Sequence, residues 1–375
     1  MNPFDDPHDD DRRGLTAWLV RRHVDPALAL MLAMLLGVGV MVLYSATGQE
    51  AGAVTSQFQR LAIGLVVLLA AAQAPPELYR AIAPYFFGIS TLMLIGVLVF
   101  GDASKGARRW LDLGFVRFQP SEMMKLAMPM MVAAYLHGAG VPPRRSVMFT
   151  ALAIIFVPTM LVARQPDLGT SLLILASGGF ALYLGGLRWR WIFAAIATAC
   201  AAAPVVWMRM HEYQKQRVLT FLDPTRDPLG AGYHITQSKI AIGSGGPFGK
   251  GWLNGTQANL DFLPEAHTDF IFSVFAEELG LIGACGLLLL YAAILVRGVL
   301  IALRAQDTFQ RLLAGSLSLT FFLYVFINIG MVIGLMPVVG VPLPLVSFGG
   351  TSMVTLMAGF GILMSIQTHR KLISN

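Results

Sequence analysis

About ten separate apolar runs, each long enough at roughly 17–25 residues to cross about 30 Å of hydrocarbon, constrain this chain more than any other feature. Their cores lie near residues 26–44, 58–74, 81–100, 121–137, 146–163, 168–187, 189–207, 269–296, 308–333 and 346–366. A chain that enters lipid repeatedly must satisfy its backbone polar groups internally. The fold class expected is therefore an all-α polytopic membrane protein of about ten transmembrane helices. One large extracytoplasmic loop, residues 208–268, would separate helices seven and eight. Residues 1–24 would form a short cytoplasmic tail, and residues 1–375 a single integral membrane domain. Composition agrees, with 56% hydrophobic and only 13% charged residues. The two cysteines, Cys200 and Cys285, fall in separate apolar runs and suggest neither a disulfide framework nor a cysteine metal site. The opening MNPFDDPHDDDRR lacks the basic region and cleavage site of a signal peptide, so the first run reads as a retained anchor.

The net charge of +6 serves orientation before it serves any partner, and nucleic acid is set aside. On a ten-span layout, Arg21, Arg22, Arg80, Arg144, Arg145, Arg188, Arg190, Arg297, Arg304, Arg311, Arg370 and Lys371 share one side. The positive-inside rule makes that side cytoplasmic, with both termini inside. Cations on the other side break the rule: Lys105, Arg108, Arg109 and Arg117 in one short loop, and Arg209, Lys215, Arg217, Arg226, Lys239 and Lys250 in the long one. A long translocated loop is largely exempt, and an ordinary solvated loop remains open for any single cation there. The short loop is less easily excused, because guanidinium groups at an outer membrane surface suit a phosphate-bearing headgroup.

Carboxylates inside the apolar runs are the second constraint. In PSEMMKLAMP, Glu122 and Lys125 stand three residues apart on one helical face, where they can neutralise each other or meet a substrate. Pro129 follows as a candidate kink. Farther along, Asp269, Ser273 and Glu277 recur every four residues as a polar stripe, with Gly280 and Gly283 allowing close helix approach. Asp269 stands at the outer end. It can cap the first helical turn, or act as a general base, since a carboxylate at a partly dehydrated mouth can have its pKa raised. Glu277 and Glu278 lie deeper and read as structural or partner-paired groups. His267 beside Asp269 is a weak metal signal, and Trp110 alone reads equally as an interfacial anchor.

Several chemistries lack support. GSGGPFGKG has neither the glycine spacing nor the Ser or Thr of a phosphate loop, and its glycines read as tight outer turns. No dinucleotide fingerprint, HExxH or GxSxG is present. What remains is an outer, cation-rich cavity with one exposed carboxylate, suited to transfer from a lipid-linked phosphate donor.

The stretches KGARRWLDLGFVRFQPSEMMKL, RQPDLGTSLL, GWLNGTQANLDFLPEAHTDFIFSVFAEELGLIG and GVPLPLVSFGGTSM resemble the SEDS (shape, elongation, division, sporulation) family over nearly the whole chain. GTQANLDFLPEAHTDF and SFGGTSM favour its rod-elongation branch over its division branch. The resemblance implies a peptidoglycan glycosyltransferase at the bacterial inner membrane, with an extracytoplasmic active site serving cell elongation and rod shape. Its substrate would be lipid II, the undecaprenyl-pyrophosphate-linked disaccharide pentapeptide. Its partners would be a class B penicillin-binding protein and other elongation-complex membrane proteins. The family's catalytic aspartate matches Asp269, its functional loop tryptophan and arginine match Trp110 and Arg109, and its buried pair matches Glu122 and Lys125. Arg108, Arg109, Arg217 and Lys239 are the candidates for holding pyrophosphate, and His267 joins the substrate-binding set. No cofactor is certain. A divalent cation, Mg or Mn, is compatible with a phosphate substrate, although no ligand set declares one. A lipid II flippase needs the same basic cavity and no base, a scaffold would leave Asp269 dispensable, and a division-branch homologue would share the chemistry.

Overall fold

A computed structural model describes residues 22–104, 107–112, 117–140, 142–210, 215, 219–220, 223, 230–259, 262–263 and 265–370. The tail expected at 1–24 therefore lies almost wholly outside the described residues. Long helices follow the apolar runs: α1 (Pro26–Ala46), α2 (Ala51–Gln73), α3 (Pro76–Phe100), α4 (Pro120–Leu136), α5 (Arg145–Arg164), α6 (Leu168–Leu184) and α7 (Trp189–Arg209). After an intervening α8 (Ala231–Gly245) and a short α9 (Thr256–Asn259) come α10 (Ile271–Leu303), α11 (Thr308–Val332) and α12 (Thr351–Thr368). Among the described residues seven helices, α1–α3, α5 and α10–α12, are long and apolar enough to cross a membrane. Shorter apolar stretches occupy α6 and Trp189–Val205 of α7.

The helices are layered by burial. In α11 72% of the apolar window is covered, against 17% in α2, so α11 is central and α2 peripheral. Helices α4 and α6 pack on α11, α3 and α5 flank them, and α2 lies along α12. Met124, Met128, Leu173, Ile174 and Phe309 fill the centre. The outward faces of α2, α3 and α7 carry bare Val66, Leu92, Phe100 and Phe193, as a lipid-facing surface requires. At one end Asp25 caps α1 by accepting from the Ala27 and Leu28 amides. Its other oxygen takes both Nε (3.0 Å) and Nη2 (2.6 Å) of Arg297, which ties α1 to α10.

The structure differs from the all-α expectation in one place. Residues 102–118 build a small antiparallel sheet, β1 (Asp102–Ser104), β2 (Ala107–Asp112) and β3 (Arg117–Phe118), in the order β1-β2-β3. Strands of three, six and two residues give no readable alternation. The segment expected as one loop over 208–268 also contains α8 and α9. Pro129 falls inside α4, and the helix continues through it to Leu136.

The other departure is in α10, whose backbone breaks at Gly280 (φ 66, ψ −164). A break frees helical N–H and C=O groups that need partners. Residues 246–251 supply them: Lys250 N donates to Glu277 O (3.0 Å) and Gly251 N to Glu278 O (2.9 Å). In return Leu281 N donates to Gly246 O (2.9 Å) and Ile282 N to Pro247 O (3.1 Å). A Cβ on Gly249 or Gly280 would collide with the facing backbone. The glycines of GSGGPFGKG thus serve a backbone-to-backbone splice into a broken helix, where the sequence suggested only tight turns.

Candidate active site

Strand β2 presents the short loop's arginine and tryptophan. Asp102 pairs with Trp110 and Ala103 with Arg108, and the register shift between those pairs leaves Arg109 as the extra, bulged residue. Strand alternation would send neighbours 109 and 110 to opposite faces, and a bulge re-aims side chains. Both line a cavity of ≈ 230 Å³ whose walls also include Glu122, Lys125, Asp167, Tyr324 and Gly340.

Each charged group in this cavity has a defined partner. Lys125 Nζ donates to Glu122 Oε1 at 2.6 Å and lies 5.1 Å from the Tyr324 ring centroid, with both members of the pair buried. The second oxygen of Glu122 has no hydrogen-bond partner. Arg109 Nη2 donates to the Pro166 carbonyl (2.5 Å), and its Nε stands 3.7 Å from Asp167 Oδ2. Asp167 is itself fixed, because its Oδ1 caps α6 by accepting from Thr170 N at 3.2 Å. Asp167 is the residue sequence reasoning missed. Its only signal was an acidic residue directly before LGT, a helix-start pattern that says nothing of a partner 58 positions upstream.

Asp269 approaches this cavity beside Gly340 and is not itself among the residues that line it. It precedes Phe270, the N-cap of α10, so it does not cap that helix. A Cβ built on Gly340, a cavity-lining residue, would stand 3.5 Å from Asp269 Oδ2. The carboxylate therefore sits at the cavity wall formed by Gly340. Three side-chain or backbone donors hold this stretch in place. Asn328 Nδ2 donates to Asp269 O (2.9 Å) and to Val341 O (2.8 Å). Ser347 Oγ donates to Thr268 O (2.5 Å), and Phe348 N to His267 O (2.9 Å). Asn328 is fully buried, and it joins the Asp269 backbone to the cavity wall.

The remaining candidates are dispersed. His267 lines a different, open concavity of ≈ 820 Å³ with Phe348 and residues 46–56, and its ring lies 5.8 Å from that of Phe348. Lys239 is exposed on α8, its side chain lying across Gly334 at the end of α11, and it is not among the residues lining the Arg109 cavity. The Arg108 side chain and all of Arg217 lie outside the described residues. Of the polar stripe, Ser273 bonds Ser238 (2.8 Å). Glu277 is fully buried and receives Lys250 Nζ (2.6 Å), Thr256 N (2.9 Å) and Thr256 Oγ1 (2.8 Å). Glu278 accepts from Ser45. Below Asp269, then, the carboxylates hold the spliced segment against α10 and stay out of the cavity.

A family model described as "Cell cycle protein", of the FtsW, RodA and SpoVE group, matches residues 26–372. The chain belongs to this FtsW/RodA/SpoVE family. "Peptidoglycan glycosyltransferase MrdB" of Escherichia coli K12 is 56% identical over 353 residues, spanning 94% of this chain and 95% of that protein. "Probable peptidoglycan glycosyltransferase FtsW" of Idiomarina loihiensis is 36% identical over 316 residues, 83% of this chain and 77% of that one. Among solved structures, a chain from a study of polymerization and crosslinking by a peptidoglycan synthase complex superposes with a TM-score of 0.82 at 31% identity. The match covers 92% of this chain and 99% of that chain. Thermus thermophilus rod shape determining protein RodA gives a TM-score of 0.71 at 28% identity, covering 92% and 98%. The SEDS resemblance carried by the motifs is thus correct at the family level, and the higher identity to MrdB agrees with the rod-elongation branch.

Proposed function

We propose that this chain is a membrane-embedded peptidoglycan glycosyltransferase that polymerises lipid II at the end of the bundle where Asp269 lies. The enzyme class follows from family membership and from 56% identity to a protein named for that activity. The site reading is carried by one observation: the Asp269 carboxylate lies beside Gly340, and Gly340 lines the same cavity as Arg109. A flippase needs no such carboxylate beside a cationic wall.

In this reading Asp269 takes the proton from the GlcNAc 4-hydroxyl of one lipid II as that oxygen bonds to the anomeric carbon of the donor MurNAc. The bond from that carbon to the pyrophosphate oxygen breaks, the configuration inverts from α to β, and undecaprenyl pyrophosphate leaves. Arg109 stabilises the charge gathering on the leaving group, and Asp167 with Pro166 O fixes its position. Trp110 positions substrate at the cavity wall. The Arg108 side chain and Arg217, outside the described residues, are proposed as further pyrophosphate contacts. Glu122 and Lys125 form the cavity floor as a neutralised pair. A divalent cation, Mg or Mn, stays compatible with the pyrophosphate substrate, although among the described residues no three His, Cys, Asp or Glu side chains converge as a ligand set.

The seven long apolar helices together with α4, α6 and α7 make ten spans in this reading. Arg80, Arg144, Arg188, Arg297 and Arg304 crowd the end remote from Asp269, which supports a cytoplasmic assignment for that end and an extracytoplasmic site. The membrane is the bacterial inner membrane, and a class B penicillin-binding protein is the crosslinking partner. The test is labelled lipid II in proteoliposomes with that partner, its transpeptidase blocked. Glycan chains support the enzyme, and lipid movement between leaflets without polymer would favour the flippase.

A further inference from the structure

At the end of the bundle remote from Asp269, a second cavity of ≈ 320 Å³ opens between the α4–α5 and α6–α7 connections. Arg144, Arg145, Arg188 and Arg190 line it, with Met148, Leu187 and Trp191 among its apolar walls. Neither carboxylate nor any other acidic side chain lines it. The placement of these arginines opposes ordinary helix design. Arg144 is the N-cap of α5 and Arg188 the N-cap of α7, with no side-chain cap bond at either end. Arg145 and Arg190 fall in the two first turns. The N-terminus of a helix is its positive pole and prefers acidic or small polar side chains. Here two such poles and four guanidinium groups converge on one space.

Cation-rich loops are normal on the inner side of a membrane protein, yet two neighbouring cations at this end, Arg297 and Arg80, have carboxylate partners. Arg297 is paired with Asp25 at 2.6 Å, and Arg80 lies 3.7 Å from Asp307. Among the described residues none of the four cavity arginines is in an ion pair, and the one ring contact of the set is Arg190 over Trp191 at 5.7 Å. Aromatic rings show where in the membrane the cavity lies. Trp189 packs on Tyr183 (5.6 Å) and Phe193 (6.2 Å), and Trp191 on Phe149 (6.2 Å). Trp and Tyr collect at headgroup depth, and the Trp189, Phe193 and Phe149 side chains are about 60% exposed to whatever surrounds the helix.

We infer that this arginine cavity binds the phosphate headgroup of an anionic membrane phospholipid, with the acyl chains lying along the exposed aromatic face of α5 and α7. Basic pockets between spanning helices hold anionic lipid headgroups by this chemistry. The adjoining bare apolar face selects a lipid over a free phosphate. The inference concerns the leaflet opposite the proposed active site and does not depend on the catalytic reading.

Native mass spectrometry of the detergent-solubilised full-length protein titrated with phosphatidylglycerol tests it. Arg144, Arg145, Arg188 and Arg190 are changed together to Gln, and separately Arg188 and Arg190 alone. An Arg304→Gln, Arg311→Gln protein, carrying losses at the same end but outside the cavity, is the control. The expected result is an adduct population at least tenfold lower in the fourfold variant, an intermediate loss in the double variant, and wild-type adducts in the control. Inorganic phosphate at millimolar concentration should leave the wild-type adducts in place. Wild-type adducts in both cavity variants would overturn the inference, as would an equal loss in the control. Displacement by inorganic phosphate would transfer the site to a soluble anion and overturn the lipid assignment. Where the fourfold variant fails to fold, the double variant, altered at two exposed positions, decides.

Discussion

Replacing Asn328 by aspartate should disable the enzyme more than its small size change suggests. Both partners of the Asn328 amide nitrogen are carbonyl oxygens, Asp269 O at 2.9 Å and Val341 O at 2.8 Å, so only a donor can occupy that place. Aspartate would present an acceptor to two acceptors. Leucine would merely take the Asn328 donor away from both carbonyls, at about 1–3 kcal/mol each, or about 2–6 kcal/mol together. Removing the amide oxygen, which is buried with no hydrogen-bond partner, returns about 1–3 kcal/mol of that. The net for Asn328→Leu is about 1–3 kcal/mol, with Asn328→Asp worse. Since the lost bond holds the Asp269 backbone, a shift near 1 Å at the carboxylate should lower the rate about 10²-fold. Initial rates of glycan synthesis and thermal unfolding midpoints of the solubilised variants measure both effects. Wild-type rate and midpoint in Asn328→Asp would refute the claim that this amide positions Asp269.

Other consequences follow from the same contacts. Lys250→Met removes the cation from the fully buried Glu277. The loss should approach the low end of about 3–5 kcal/mol, because Thr256 and Gln257 still donate to the carboxylate. Adding Glu277→Gln should restore part of the lost melting temperature, and a double variant no better than Lys250→Met would count against a charge effect. Arg109→Lys should lose most polymerisation activity, since one ammonium cannot both reach Pro166 O and lie against Asp167; full activity in that variant would contradict the positioning role. At the remote end, burial, and then the charge of the stacked His369 ring 3.8 Å away, hold the His23 pKa below its ordinary 6.5. Protonation is then easier in the unfolded chain, so this contribution is flat at high pH and stability falls as pH drops through about 6.5. Melting curves of His23→Gln should show a shallower acid slope than wild type, and an unchanged slope would exclude His23 as its source.

The spans were legible because lipid imposes a minimum apolar length. Their ends were not, where polar residues continue a helix. The second run, placed at 58–74, begins in fact at Ala51, because Gln57 is buried within α2. The last run was placed at 346–366, yet α12 starts at Thr351, since Val346 and Ser347 belong to the turn that holds Thr268. Asp269 stood out as a charge in an apolar run, and Arg109 as an outer-loop cation that breaks the orientation rule. Their meeting at one place, Arg109 lining the cavity and Asp269 beside its Gly340 wall, was beyond the sequence. It depends on a bulge in β2 and on Gly340, neither of which has local periodicity. Asp167 escaped for a related reason: it acts through a partner distant in the chain, and in the sequence it resembles an ordinary cap. The bond from Asn328 to the Asp269 backbone, 59 positions away, was beyond the sequence in the same way. The glycine segment 245–251 was read as turns because nothing local foretells a helix broken at Gly280 to receive it.

The most direct measurement is polymerisation of labelled lipid II by the wild-type protein and by Asp269→Asn. Each is purified with its penicillin-binding partner, the transpeptidase is blocked and contaminating glycosyltransferases are inhibited. The substitution keeps shape and removes the base. Long glycan chains from wild type, and none from an Asp269→Asn protein with an unchanged melting curve, are the predicted result. Equal chains from both would contradict the assignment of Asp269 as the base.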